Sequence, residues 1–426
     1  MRAIGIDVHR DFCEVAISEG GLLRSAGRVP TTPAEIELLA RSLRSDDEVA
    51  LETTGNALAI ARLIEPHVAR VVVASAKELH AISDAKTKTD RRDARTLAKL
   101  LAAGLLEGTW LPDEELRALR RQMQRRAQLV RQRSRLKNEV HAVLYRNLSG
   151  AGPASDLFGA AGRGWLAELE LPADERETVE GCLRVLDFLG GEVERLERSV
   201  ARYAMGSPQI RRLVTIPGVN LITAATLIAV IGDVSRFASA RKLVGYLGLD
   251  PRVRQSGSSP AHMGHISKEG AAAARRVLCE AAHAAIRSPG PLHAFGQRVA
   301  ARRGRQVAIV AVARKIACLA WRLLTSGQDY AYASPSRVAL KLRRIELRAG
   351  EPARRRGGGA RVTLDDQRRR EREIALAAER AYRRLVSDRQ AGKRQRGASA
   401  ATGRACGVVL EGPSSAADAS APASAL

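Results

Sequence analysis

The run AIGIDV at residues 3–8 sets an acid among Ile4, Ile6 and Val8. Those neighbours mark a buried strand, and an ionised carboxylate there is costly unless something answers its charge. Asp7 therefore restricts the chain to folds that bring a partner to this strand. Two more strands are predicted at 13–18 (CEVAIS) and 22–29 (LLRSAGRV), with Gly20 and Gly21 supplying the turn between them. A helix follows Thr32, with Pro33 at a tolerated first position. Then come a strand at 48–52 (EVALE), a helix over about 56–66, a strand at 70–75 (RVVVAS), a short helix, and a longer helix over about 89–104.

Three meander strands followed by alternating strands and helices predict a mixed α/β sheet, in the element order of a ribonuclease-H-like fold. Residues 113–147 read as one long helix with Leu116, Leu119, Met123, Val130, Val140 and Leu144 along one side. After a break at 149–164 that contains Gly and Pro, a second long helix covers about 175–204. Its Leu186, Leu189, Val193, Leu196, Val200 and Tyr203 recur by threes and fours, the spacing of a coiled coil. The two helices are expected to pack together or to dimerise. Residues 207–330 read as a mainly helical region: IPGV (216–219) before an apolar helix, a Gly-rich loop over about 250–270, and helices at 271–287 and 305–325. From about 335 the composition shifts. RRR (354–356), GGG (357–359) and RRRER (368–372) lead into a helical stretch to about 386, and the last thirty residues, rich in Ala, Ser, Gly and Pro, are expected to be disordered.

Four acids form the first candidate site. Asp7 lies in the first strand and Glu52 ends the fourth, within ALETTG. Asp90 and Asp93 share a helical face in KTDRRDA, three residues apart. A divalent cation is a fitting partner for such a set: Mg²⁺ takes hard oxygen ligands and is held by a few carboxylates plus substrate phosphate. Two such ions about 4 Å apart can clamp the attacking and leaving oxygens of a phosphodiester. Taken singly, an acid is as well explained as a surface carboxylate, and Asp90 and Asp93 also suit a helix start; Asp7, among buried-strand neighbours, is the hardest to explain so, and Glu52 also closes an apolar strand.

The second candidate site is the segment 248–270, GLDPRVRQSGSSPAHMGHISKEG. Glycine allows close approach of backbone to a phosphate, and Arg252, Arg254 and Lys268 can neutralise one. Ser256, followed by Gly257, is a nucleophile if a base or metal activates it; a flexible basic loop is the plain alternative. Attack on DNA would leave a phosphoserine ester, which conserves the bond energy, so rejoining needs no nucleotide and no GxxxxGK[ST] loop is present. IPGV with the helix after it resembles a helix-hairpin-helix element, whose turn amides would grip a backbone phosphate. Nine Arg or Lys fall between residues 117 and 137, Arg120, Arg121 and Arg125 among them; a solvated coiled-coil face is the plain explanation, but the lack of compensating acids there favours nucleic-acid contact. His9, His141, His262 and His265 show no HxxxH or HExxH spacing and read as structural or phosphate-contacting residues.

Charge and composition agree with a polyanionic partner. The 426 residues carry 70 Lys plus Arg against 46 Asp plus Glu, a formal charge of +24, and each phosphate contact made by such a surface releases a counterion. Aromatics at 3% argue against a base-stacking platform. No apolar run reaches the roughly 18 residues of a membrane span, and the first residues run straight into a strand, so neither a membrane anchor nor a signal peptide is expected. The five cysteines are isolated, with no CxxC pair, so no zinc site or disulfide framework is indicated and a reducing cytoplasm, with the protein on the bacterial nucleoid, is expected.

The motifs GIDVH, LETTG, KTKTDRRDA, TIPGVNLITAATLIAVIGDVSRF, SARKLVGYLGLDPRVRQSG, GHISKEG and VAIVAVARKIACLAWRLL stand in order over about residues 1–330. The set resembles the DEDD, RuvC-like transposases of bacterial insertion sequences, a family that includes pilin-gene invertases and members guided by a bridge RNA. The resemblance implies that Asp7, Glu52, Asp90 and Asp93 bind Mg²⁺ or Mn²⁺ and that Ser256 forms the covalent link to DNA. It implies DNA ends and target as partners, a guide RNA that selects them by base pairing, and a homo-oligomer, dimer or tetramer, in which one subunit's carboxylates meet another's serine. The corresponding division is a catalytic domain at 1–106, a helical linker at 107–206, a serine domain at 207–330 and a basic tail at 331–426. The chain departs from the family in having Ala271 after Gly270 and a less basic 259–263. Three rivals remain: a junction-resolving nuclease that uses water, a non-catalytic nucleic-acid-binding regulator, and a sugar-kinase-like ATPase. The last should carry further phosphate loops, and none is present.

Overall fold

The computed structural model describes residues 1–75, 79, 89–150, 152–257, 259–352 and 364–405. The short helix expected after residue 75, the Arg and Gly runs at 354–359 and the segment from 406 onward lie outside the described residues. The chain forms two compact units, Met1–Asp113 and Glu114–Leu426.

In the first unit a five-stranded sheet has the order β3-β2-β1-β4-β5. Its strands are β1 (Ala3–Val8), β2 (Phe12–Glu19), β3 (Leu22–Pro30), β4 (Glu48–Glu52) and β5 (Arg70–Ala74). β1 pairs antiparallel with β2 and parallel with β4, and β4 is parallel to β5. β1 is central and covered on both faces, which is why it is apolar at almost every position. Ile4, Ile6 and Val8 face α1 (Pro33–Ser42) and α2 (Ala57–Ile64) together with Val49, Leu51 and Val73. Ala3, Ala50, Val72 and Ala74 face the opposite way, against α3 (Asp90–Ala102) and its Leu97, Leu100 and Leu101. α3 seats directly on β1, since a Cβ at Gly5 would lie 2.1 Å from the Ala94 carbonyl oxygen and 2.4 Å from the Ala98 nitrogen.

The second unit begins with α4 (Glu114–Arg146), α5 (Ala160–Glu168) and α6 (Ala173–Met205). α4 and α6 pack as an antiparallel hairpin. Leu129 meets Leu189 and Val193 at its middle, while Val140, Val143 and Leu144 meet Val179 and Cys182 nearer its end. Arg126 pairs with Glu197 across the seam at 2.6 Å. The expected three-and-four spacing is thus used within one chain. A helical core follows, built from α7 (Pro208–Val214), α8 (Leu221–Ile231), α9 (Ala240–Tyr246), α10 (Ala272–Arg287), α11 (Pro291–Arg303) and α12 (Arg305–Ser326). α8 is buried at nine of its 11 residues, because it is apolar all round.

Residues that the composition assigned to the basic tail continue this core. α13 (Pro335–Ala349) buries Ile345 in it. Lys341 Nζ donates to the carbonyls of Val214 (2.8 Å) and Ile216 (3.0 Å), and burial pulls its pKa down to about 8. Arg348 pairs with the buried Glu197 of α6 at 2.7 Å. Beyond it, α14 (Leu364–Ala405) packs on α11, so the helix continues past residue 386 into residues expected to be disordered.

Candidate active site

Asp7 and Glu52 end neighbouring parallel strands. The register pairs Gly5 with Ala50 and Ile6 with Leu51, and side chains alternate along a strand. Asp7 and Glu52 therefore belong to the face that carries Ala3 and Ala50, the face covered by α3. α3 runs against β1, so Asp90, one turn before Ala94, overlies Asp7, two residues beyond Gly5. Thr89 caps the helix, its hydroxyl accepting from the Arg92 amide at 3.3 Å. The positive end of the helix thus points at the acids, which favours negative charge there.

The geometry brings three side chains together: His9 Nε2 lies 3.1 Å from Asp7 Oδ2 and 3.3 Å from Asp90 Oδ1. One donor atom from each of Asp7, His9 and Asp90 falls within 4.8 Å of the others. Burial pushes the Asp7 carboxyl above the usual carboxylate range; His9 opposes this, and Asp93 and Asp90 add to it. Asp93 is therefore close enough to act on Asp7. Glu52 stands on the same sheet face, half-buried and outside the three-residue group.

His9 was read from the sequence as structural or phosphate-contacting, and the structure places it between two of the acids. Its ring packs on Phe12, with centroids 4.8 Å apart, and its carbonyl accepts from Asn56 Nδ2 at 3.0 Å, tying GIDVH to LETTGN. Glu14 is a second residue that the sequence reading passed over. It is the register partner of Asp7 across β1 and β2, and it is 4% exposed. Arg28 holds it at 2.9 Å and also approaches Asp90 at 3.6 Å. These residues fit a divalent cation: oxygen donors that repel one another, on a buried carboxyl held at an unfavourable charge, with an imidazole nitrogen beside them.

Ser256 belongs to the second unit. The segment expected as a Gly-rich loop contains a two-stranded hairpin, β6 (Pro251–Arg254) antiparallel to β7 (His262–Ile266), and Ser256 stands in the connecting turn. Both strands are exposed on both faces, as are Arg252, Arg254 and Ser256. Such a hairpin has no core of its own; it is held at its base. There Ser267 Oγ donates to Asp250 Oδ1 (2.8 Å) and Arg275 donates to the Leu247 and Glu269 carbonyls. Gly248 and Gly270 allow the backbones to cross, since a Cβ on either would lie within about 2 Å of a carbonyl oxygen. Lys268 is exposed and left-handed at φ 58°. Among the described residues no side chain is hydrogen-bonded to Ser256.

The remaining candidates differ in setting. Arg120 donates to the Ala229 and Val230 carbonyls at the end of α8, and burial lowers its pKa; it caps that helix. Arg121 pairs with Glu114 at 2.6 Å, and Arg125 is exposed with Gln128 at 3.4 Å. At the TIPGV turn, Asn220 Oδ1 accepts from the Thr223 amide at 2.9 Å, which already caps the first turn of α8. Among the described residues no helix is long and apolar enough to cross a membrane.

Comparisons with known proteins follow the same two regions. A transposase model of the DEDD, IS110 type matches residues 4–147, and the model for the transposase IS116/IS110/IS902 family matches residues 210–297. The chain is 28% identical over 295 residues to a Pseudomonas aeruginosa protein named "Probable family 20 transposase", covering 66% of this chain and 85% of that one. It is 28% identical over 258 residues to the transposase for insertion sequence element IS1111A of Coxiella burnetii, covering 57% of this chain and 68% of the relative. A pilin gene-inverting protein of Moraxella lacunata is 33% identical over 122 residues, 28% of this chain and 37% of that protein.

Proposed function

Because the chain belongs to the IS116/IS110/IS902 family of transposases, we infer that it cuts and rejoins the DNA of a mobile element through a covalent serine intermediate. Asp7, Glu52, Asp90 and Asp93, with His9 beside them, would hold magnesium or manganese. The observation that carries this reading is Asp7, a buried carboxyl at the end of the central strand with His9 and Asp90 within reach. The strand order, with helices on both faces, supports a ribonuclease-H-like, RuvC-type unit within the first 106 residues.

A divalent cation, if held at the cluster, would withdraw charge from the reacting phosphate. Ser256 Oγ attacks phosphorus and gives its proton to a carboxylate of the cluster. As the P–O bond to one deoxyribose oxygen breaks, that oxygen takes up a proton in place of the one the serine gave and leaves as a hydroxyl, and a phosphoserine diester forms. Attack by another DNA hydroxyl reverses these steps and frees the serine. Among the described residues no side chain is bonded to Ser256, and in this reading the activating groups are the carboxylates of another subunit. Exposed Val185 and Phe188 on α6 support self-association. Arg252, Arg254, Lys268 and Arg125 contact phosphates, and a guide RNA supplies the sequence choice that a chain with 3% aromatics is poorly equipped to make.

A covalent-trapping assay tests this. The protein, co-expressed with its element RNA, is mixed with Mg²⁺ and labelled element-end and target DNA and resolved on a denaturing gel. A protein–DNA band that is lost in both Ser256→Ala and Asp7→Asn is expected. Cleaved DNA without an adduct, unaffected by Ser256→Ala, would instead assign hydrolysis by the carboxylates and water.

A further inference from the structure

Seven arginines lie between residues 368 and 384. The three glutamates in that stretch divide by role. Glu371 accepts from the Ser336 amide (2.8 Å), the Ser336 hydroxyl (2.6 Å) and the Ser334 hydroxyl at the start of α13. Glu379 is 6% exposed and accepts from the Gly290 amide at 3.3 Å, at the start of α11. Tyr382 completes this inner face, under Arg298. Of the three, Glu373 alone is left outside, in the company of exposed Arg368, Arg369, Arg370, Arg372, Arg380, Arg383 and Arg384, of which Arg383 pairs with Glu379.

This arrangement works against the helix itself. Like charges three and four residues apart, such as Arg369 with Arg372 and Arg380 with Arg384, destabilise an isolated helix, and an ordinary soluble surface interleaves the two signs. Here Glu371 and Glu379 are turned inward, where they fasten α14 to α11 and α13. The exposed acids of the helix, Asp365, Asp366, Glu373 and Asp388, are outnumbered by the seven arginines, with Asp365 engaged by Arg368 at 3.6 Å. The result is a rigid positive ridge spanning about 22 Å from Arg369 to Arg384, at 1.5 Å per residue. Duplex DNA carries one charge per roughly 1.7 Å of its axis, so a ridge of this length faces several phosphates at once. The family matches end at residue 297, well before it.

We propose that α14 is a docked arm that grips the phosphate backbone of duplex DNA without regard to sequence, through Arg369, Arg372, Arg380 and Arg384. The inference needs DNA as the substrate and nothing of the roles of Ser256 or the acids. Exposed Ile374 and Leu385 on the same helix make a second copy of the chain the competing occupant.

The test compares the full-length protein with a variant in which those four arginines are glutamine, using fluorescence anisotropy on a labelled 40-base-pair duplex of arbitrary sequence from 50 to 300 mM NaCl. With about 0.9 lost from the log–log salt slope per phosphate contact, the variant's slope should fall by about 2–4 and its low-salt affinity by about 10–1,000-fold. Lysine at the same four positions should restore most of both, because a phosphate accepts either cation as a point charge; that rescue separates charge from misfolding. An unchanged slope overturns the proposal. A loss confined to RNA duplexes or single-stranded RNA overturns it in favour of a guide-RNA arm. A fall in oligomer mass by light scattering, with the DNA slope intact, overturns it in favour of a contact between copies.

Discussion

Asp7 carries a carboxyl that burial holds above its ordinary range. Such a group keeps its proton in the native state at pH values where the unfolded chain has released it. Stability therefore falls as pH rises from the ordinary value through the raised one, and above that window the penalty is present in full. Asp7→Asn removes the penalty. The metal-free variant should melt at a higher temperature than the wild type at pH 7, while strand cleavage falls by more than the roughly 10–100-fold that losing an outer contact to a metal ligand costs. Added Mg²⁺ should raise the wild-type melting temperature with concentration and leave the variant's unmoved. Calorimetry at graded Mg²⁺ checks both, and a variant that still responds would place the ion away from Asp7. The rule that exposed Asp7, an acid in an apolar strand, applies equally to Glu14 in CEVAIS. His9 escaped because HxxxH is a helical spacing. On a strand the same-face spacing is two, and Asp7 and His9 have it. Arg120 could not be separated from its basic neighbours, since the carbonyls it caps lie more than a hundred residues along the chain.

At the scale of elements, the spacing of the acids is set by how closely α3 sits on β1. Gly5→Ala would place a methyl 2.1 Å from the Ala94 carbonyl, so the helix must move and carry Asp90 and Asp93 with it. A loss of about 1–3 kcal/mol is expected for such overpacking, measurable by urea unfolding, together with loss of cleavage although no acid has changed. Full cleavage in a Gly5→Ala protein would show that the cluster tolerates a displaced helix. The sheet was legible because its alternations and turns are local. The hairpin around Ser256 was not: its strands face solvent on both sides, so no apolar alternation marks them, and Gly and Ser read as a loop. α13 was hidden for a related reason. Its arginines dominate the composition, while the contacts that fix it, those of Lys341, Ile345 and Arg348, reach residues between 197 and 216 and the helical core around them.

Across the whole molecule, the candidate groups fall into two units, with the acids before residue 113 and the serine after it. Ser256 in its bare hairpin, with no side chain bonded to it among the described residues, has a bearing on how such an element lives in a cell. If activation requires a second copy, activity must climb faster than in proportion to protein dose, and halving the dose should cut it by more than half. Dilution series of purified protein in the trapping assay would read this as a steeper-than-linear rise in adduct, and strict proportionality would assign activation to a group within the same chain. A steep dose response would keep a host genome safe from stray copies while letting a rare burst of synthesis mobilise the element.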